Sequence, residues 1–332
     1  MAEAISIARH IERRFSVLAS LKRSVSVVVA NLALPLSGIL AFLILWPIAA
    51  RNIDTSLGQF PSPAAVWEQF GSLYAEHKSE RLKEKAFYVR QEERNAERMA
   101  EDPTYEPGIR AYTGKETFLD QIGTSLVTVM LGFSLATAIA VPFGIAIGLS
   151  RALNASVNPI IQVLKPISPL AWLPLVTMVV SAMYAAPHPS VPKSFIISMI
   201  TVALCCLWPM VINTSVGVAS IDKDFVNVSR VLNLSAVSHV FRIVIPASIP
   251  MIFTGMRLSI GIAWMVLIAA EMLAQNPGLG KFVWDEFQNG SSESLSRILA
   301  AAIVIGFIGF LLDRGMLLIQ RFVSWDKASA AR

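Results

Sequence analysis

Charge is scarce in this chain. Only 15% of its 332 residues are Asp, Glu, Lys or Arg, while 54% are hydrophobic. Soluble domains carry about 25% charged residues, so most of the length must be solvated by lipid or by itself. Cysteine is nearly absent: Cys205 and Cys206 are neighbours in an apolar run. They suit neither a disulfide nor a metal pair, and read as small core residues. Histidine is thin too. His10, His77, His188 and His239 are dispersed, without HExxH or any paired metal spacing. No set of His, Asp, Glu or Cys converges, which excludes a membrane enzyme. "GLGK" (Gly278–Lys281) is not a phosphate loop, because Gln275 stands at the first glycine place and Phe282 at the Ser/Thr place. The chain therefore has no nucleotide site and no cofactor of its own. The net charge of +5 does not indicate nucleic acid, since the basic residues lie between apolar segments and follow the positive-inside bias.

What is present is a series of apolar runs. Six spans are expected at about 32–50, 122–149, 157–185, 194–218, 251–274 and 298–320, each near the ~20 residues that hydrocarbon requires. The leader 1–31, with Arg9, Arg13, Arg14, Lys22 and Arg23, is long for a signal n-region, so 32–50 reads as an uncleaved first helix. Six crossings from a cytoplasmic amino terminus put Arg151, Lys165, Lys223, Arg230, Arg242 and the 323–332 tail in the cytoplasm. The loops around His188 to Lys193 and Asn276 to Ser296 fall outside, with fewer basic residues.

Segment 51–120 also falls outside. Glu76, Glu80 and Glu84 alternate there with Arg81, Lys83 and Lys85, a composition that favours solvated helix. It reads either as an insertion without chemistry or as a docking surface for an extracytoplasmic partner. "FPSPAAVWEQF" (Phe60–Phe70) predicts a short amphipathic helix at the outer interface. "KPISPLAWLP" (Lys165–Pro174) sets three prolines in ten residues, predicting a kink that either lines a path or merely packs. "GIAIG" (Gly144–Gly148) predicts close helix packing.

Ionisable residues at membrane depth are few: Arg257, Glu271, Asp313 and Arg314. Each is a functional candidate because its desolvation is costly. Arg257 reads as a pathway or gating residue, and Asp313 and Arg314 as interfacial anchors. The lack of a mid-membrane carboxylate argues against a secondary anion carrier.

The stretch "DKDFVNVSRVLNLSAVSHVFRIVIPAS" (Asp222–Ser248) is too elaborate for a connector. Asp222 or Asp224 can cap a helix over 225–232, Asn233 can end it in the left-handed conformation, and Ser235 can cap a second helix that Pro246 stops. Phe225, Val228, Val231, Leu232, Val237, Val240, Phe241 and Val244 form an apolar stripe, with Arg230 and His239 facing elsewhere. The pattern fits a protein-docking knob or a helix resting on lipid headgroups.

At this loop the chain resembles the membrane subunits of ABC importers, whose cytosolic loop reads EAA, three residues, Gly, nine residues, Ile-x-Leu-Pro. Asn227, Val228 and Ser229 occupy the EAA places, Asn233 the glycine place, and Ile243, Val244, Ile245 and Pro246 the ending. The spacing is kept, while the EAA letters and the glycine are replaced. "GTSLVTVMLGFSLATAIAVPFGIAIGLS", "IIQVLKPISPLAWLPL" and "FTGMRLSIGIAWMVLIAAEMLAQNPGLGKFVWDEF" are similar to the branch serving nitrate, sulfonate, taurine and bicarbonate. "KAFYVRQEERNAER", "YTGKETFLDQI" and "MLAQNPGLGKFVWDEFQNGSS" most resemble nitrate importer permeases.

The resemblance implies an all-α membrane protein of the type I importer permease kind: a first helix at 32–50, an outer insertion at 51–120, and a five-helix core at 121–322 with a coupling loop at 222–247. It implies a dimer of identical subunits in a bacterial cytoplasmic membrane. Two cytosolic ATPase subunits would bind ATP and Mg, and an extracytoplasmic binding protein would deliver a small oxyanion, nitrate (or nitrite) first, with sulfonate, taurine, cyanate and bicarbonate as alternatives. The implied ATPase-coupling residues are Asn227, Ser229, Arg230, Asn233, Ile243, Ile245 and Pro246. Donors and aromatic neighbours suited to an oxyanion path are Lys165, Ser168, Trp172, Arg257, Ser259, Trp264 and Glu271.

Overall fold

The computed structural model describes residues 33–323 apart from 56, 57, 103, 185–190 and 292; the 1–31 leader, nearly all of the 323–332 tail and the His188 loop lie outside the described residues. The chain divides into two units, 1–68 and 69–332. In the first, helix α1 (Ala33–Ala50) is apolar and long enough to cross a membrane. It leads into a two-stranded ribbon, β1 (Asp54–Thr55) and β2 (Gly58–Gln59). The Trp46 indole N–H donates to the Pro61 carbonyl at 3.0 Å, tying the end of α1 to the chain after the ribbon.

Helix α2 (Pro63–Glu101) starts in the first unit and runs for 39 residues. The short interfacial helix expected at Phe60–Phe70 is thus only its beginning. Pro63 sits at the helix start, where its missing N–H costs nothing, and an alternation rich in Ala, Leu, Glu and Lys carries the helix onward without a breaker.

The second unit is a helical bundle: α3 (Phe118–Leu149), α4 (Arg151–Leu164), α5 (Pro169–Met183), α6 (Lys193–Ala219), α7 (Lys223–Val231), α8 (Ala236–His239), α9 (Ile245–Ala274), α10 (Leu279–Asn289) and α11 (Ser294–Val323). Helix α6 is central and packs along α3 and α9, with α5, α10 and α11 outside. A Cβ at Gly144 would stand 2.7 Å from the Thr214 Cβ, and one at Gly148 would strike Val218, so the "GIAIG" glycines let α3 and α6 approach closely. Within α6, Thr201 Oγ1 donates to Ile197 O at 2.8 Å. Ser259 Oγ crosses from α9 to Cys206 O at 2.7 Å, beside the donor that Pro209 lacks. Cys206 is buried and Cys205 half-buried, both as free thiols.

Two expectations are corrected. The span at 157–185 is not one helix: α4 and α5 are bent by 100° at residues 165–168. Ser168 is extended, as a residue before proline prefers, and caps α5 while Pro169 opens it. Nor does Pro246 stop the second loop helix. A π-helical turn, Val240–Val244, carries α8 into α9, with Ile245 N–H reaching back to Val240 O. Pro246 falls in the first turn of α9, where a donor is not needed. The second half of the loop and the fifth span are therefore one continuous helical rod from Ala236 to Ala274.

Candidate functional site

The 222–247 loop folds as two short helices locked by its own side chains. Asp222 accepts from the Asp224 N–H at 3.0 Å and opens α7. Asn233 takes φ 47, the left-handed conformation expected of it. Leu234 N–H then returns to Ser229 O at 3.1 Å, closing the helix end. Ser235 accepts from Ser238 N–H at 3.3 Å and opens α8. His239, expected to face away, instead joins Ser229 Oγ at 2.8 Å through Nδ1. Ser229 is buried by that contact, so this member of the expected coupling set ties the two helices together and is not presented outward.

The apolar stripe is only partly covered. Val244 is buried, whereas Phe225, Val228, Val231, Leu232, Val237 and Phe241 are exposed, Val231 at 84%. Asn227, Arg230, Asn233 and Pro246 are also exposed, and Ile243 and Ile245 half-buried. The groove here measures about 670 Å³ and is lined by Ile221, Phe225, Ile243, Pro246, Pro250 and Met251. Chemically, the loop can bury apolar surface against another protein, with Asp222 and Arg242 at the edge of the groove.

The expected path residues have separate duties. Lys165 and Ser168 lie at the bend, and Trp172 is half-buried on α5. Ser259 is spent on Cys206 O. Trp264 is buried and donates to Ile305 O at 2.9 Å, holding α9 to α11. Glu271 is fully buried and accepts from Ser125 Oγ at 2.8 Å and Gly280 N–H at 2.9 Å. Arg257 meets Asp313 in a bidentate pair at 2.6 and 3.1 Å. Asp313, read as an interfacial anchor, is thus the partner of Arg257.

A polar network at the root of α2 was not legible in the sequence. Arg297 of α11 bridges Glu76 of α2 at 2.6 and 3.0 Å and Glu286 of α10 at 2.7 Å. Its hydrogen bond holds the Glu76 carboxyl below the usual carboxylate range. Tyr112 OH donates to Glu80 at 2.7 Å, which lowers the Glu80 carboxyl and raises the Tyr112 phenol. Burial, with the neighbouring Asp120, raises Glu116. The cavity among these residues, about 470 Å³, is also lined by Lys83, Lys115, Gln121 and Phe282. Among the described residues, no group of three or more His, Cys, Asp or Glu could hold a metal ion.

Residues 140–325 match the family model described as the binding-protein-dependent transport system inner membrane component. The chain belongs to this family. The permease is 36% identical over 88% of its length to the bicarbonate transport system permease protein CmpB of Synechococcus elongatus, of which 90% is covered. It is 41% identical over 61% of its length to the nitrate import permease protein NrtB of Synechocystis sp., covering 69% of that protein. It is 30% identical over 63% of its length to the taurine transport system permease protein TauC of Escherichia coli, covering 72%. Its fold is similar to a chain of the MetNI methionine ABC transporter at TM-score 0.53 and 13% identity, covering 62% of this permease and 96% of that chain. The permease is a multi-pass membrane subunit of an ABC importer and not an enzyme; ATP hydrolysis falls to ATPase subunits, and a substrate-binding protein completes the system.

Proposed function

We propose that this permease carries a small oxyanion, nitrate first and nitrite with it, into a bacterial cytoplasm, as a dimer of identical subunits. Two ATPase subunits, binding ATP and Mg, dock on the 222–247 loops. ATP binding draws the loops together and turns the pathway outward; hydrolysis resets it. The observation that carries this reading is the loop itself: six exposed apolar side chains on two helices fixed by Asp222, Asn233, Ser235 and the Ser229–His239 bond. Unpartnered apolar surface on so rigid a support suits burial in a protein cleft. Its continuity with α9 through the π-helical turn would pass a push on the loop into a membrane-crossing helix.

The substrate class is supported by the nitrate and bicarbonate relatives, whose names both give singly charged, planar oxyanions. Bicarbonate is the second reading, favoured by the bicarbonate relative's alignment over 88% of the chain. Taurine, other sulfonates and cyanate follow. Within the path, Arg257 is the candidate donor: its fork keeps an open flank beside Asp313, whereas the Ser259 hydroxyl and the Trp264 indole N–H are each spent on a backbone carbonyl and Glu271 only accepts.

The test is uptake of labelled nitrate by vesicles holding the permease, its ATPase partners and the binding protein. Accumulation that needs ATP, and that nitrite but not taurine or bicarbonate suppresses, is the expected result. Suppression by bicarbonate alone moves the assignment to the second reading, and uptake without ATP overturns the importer mechanism.

A further inference from the structure

The Arg257–Asp313 pair joins two membrane-crossing helices near the level where both leave the apolar layer. Arg257 is seventeen residues from the Ala274 end of α9, and Asp313 nineteen from the Ser294 end of α11. At 1.5 Å per residue these are depths of about 26 and about 28 Å. Helix α10 joins those two ends, so both side chains lie at one level, near the far boundary of the ~30 Å hydrocarbon layer. The pair is also open: the Arg257 and Asp313 side chains are 38% and 35% exposed. An open pair leaves part of the Arg257 fork, with its five N–H donors, available to a further acceptor.

The local charge does not balance. Arg314 follows Asp313, with its guanidinium carbon 5.0 Å from the centre of the Phe310 ring and no carboxylate paired with it among the described residues. The group Arg257, Asp313 and Arg314 therefore carries one net positive charge on an exposed face of a membrane-crossing helix pair. One further monovalent anion would neutralise it. The Arg257 fork is planar and matches a planar oxyanion as it matches a carboxylate.

We propose that Arg257, Asp313 and Arg314 form an anion-exchange site in the transport path, with Asp313 as the resident anion that a small monovalent oxyanion displaces from Arg257 and that expels it again. The inference rests on the anion reading above and adds a device to it. A free arginine at this depth would hold an anion tightly; a covalently attached competitor at 2.6 Å keeps the site attractive without trapping.

The experiment uses the complete transporter in nanodiscs and in proteoliposomes. Phenylglyoxal labelling of Arg257, followed by peptide mass spectrometry, reports directly whether the guanidinium is in contact with water. In Asp313→Asn we expect labelling to rise several-fold and millimolar nitrate to slow it by a similar factor. Nitrate uptake should fall several-fold while ATP hydrolysis persists, because the anion is released slowly. Labelling that is insensitive to both Asp313→Asn and nitrate means a lipid- or protein-covered staple and overturns the proposal. So does full uptake, with unchanged anion response, in the exchanged pair Arg257→Asp with Asp313→Arg. Nitrate protection of Arg257 without nitrate uptake would uphold the site and count against nitrate as the cargo, so the two ideas fail separately.

Discussion

Glu271 shows how much one residue organises. It is fully buried, and among the described residues no lysine or arginine pairs with it. Its acceptors are filled by Ser125 Oγ and by the Gly280 amide. That amide belongs to the first turn of α10, where the helix dipole favours negative charge. A side chain at Gly278 would collide with the Glu271 carboxylate, and one at Gly280 with the Ile268 carbonyl, so the "GLGK" glycines exist to let this turn close over α9. Ser125 continues the arrangement by accepting from Leu279 N–H at 2.9 Å. In Glu271→Ala, two buried donors lose their acceptor and a cavity opens, a loss of about 3 kcal/mol or more. Glu271→Gln preserves the shape and one acceptor and should cost less. Thermal unfolding in detergent checks this: alanine should melt several degrees below glutamine, and equal melting of the two would deny Glu271 this role.

At the level of elements, the loop offers a separation between folding and coupling. Asn233 has φ 47 and Ser229 is bonded to His239. Valine is strained in the left-handed region by about 1–2 kcal/mol, and Ser229→Ala removes a tie worth about 1 kcal/mol. The double variant Asn233→Val with Ser229→Ala should insert into the membrane normally, retain the transmembrane bundle, and lose most ATP-driven uptake through misplacement of Phe225, Val231 and Phe241. Asn233→Gly, which accepts the same backbone, should transport like the parent. Unimpaired uptake by the double variant would remove the loop's fixed geometry from the coupling argument. Much of this element was legible in the sequence, because each cap closes a bond spanning no more than five residues: Asp222, Asn233 and Ser235 all stand where the letters put them. The passage through Pro246 was not legible, since a π-helical turn has no residue signature and a proline in a first turn looks like one that ends a helix. The Arg297 bridge to Glu76 was equally hidden, for it joins residues 221 positions apart. Arg257 and Asp313 were both visible as charges at depth; their pairing was not, because fifty-six positions separate them and only packing brings them together.

For the molecule as a whole, the bent pair α4–α5 decides the number of crossings, and packing register resolves it. Their 14 and 15 residues reach only about 21 and 22 Å, each short of ~30 Å. Helix α3, however, meets α6 at Gly132 with Val202, Gly144 with Thr214 and Gly148 with Val218. Each pair is 70 positions apart, so the two helices run parallel. Parallel neighbours in one bilayer must begin on the same side, and α4 with α5 must therefore carry the chain back across. The pair thus counts as one crossing despite its 100° bend. Gly217 with Met251 and Gly255 with Asn213 make α6 and α9 antiparallel, and Arg257 with Asp313 and Trp264 with Ile305 do the same for α9 and α11. Single cysteines in a background with Cys205 and Cys206 replaced can test this with a membrane-impermeant thiol reagent. Glu92→Cys, Lys193→Cys and Asp285→Cys should react from one side, and Arg151→Cys, Asp224→Cys and Arg321→Cys from the other. Arg151→Cys reacting with the Lys193→Cys group would make α4–α5 a re-entrant hairpin, and the parallel register of α3 and α6 could not then stand.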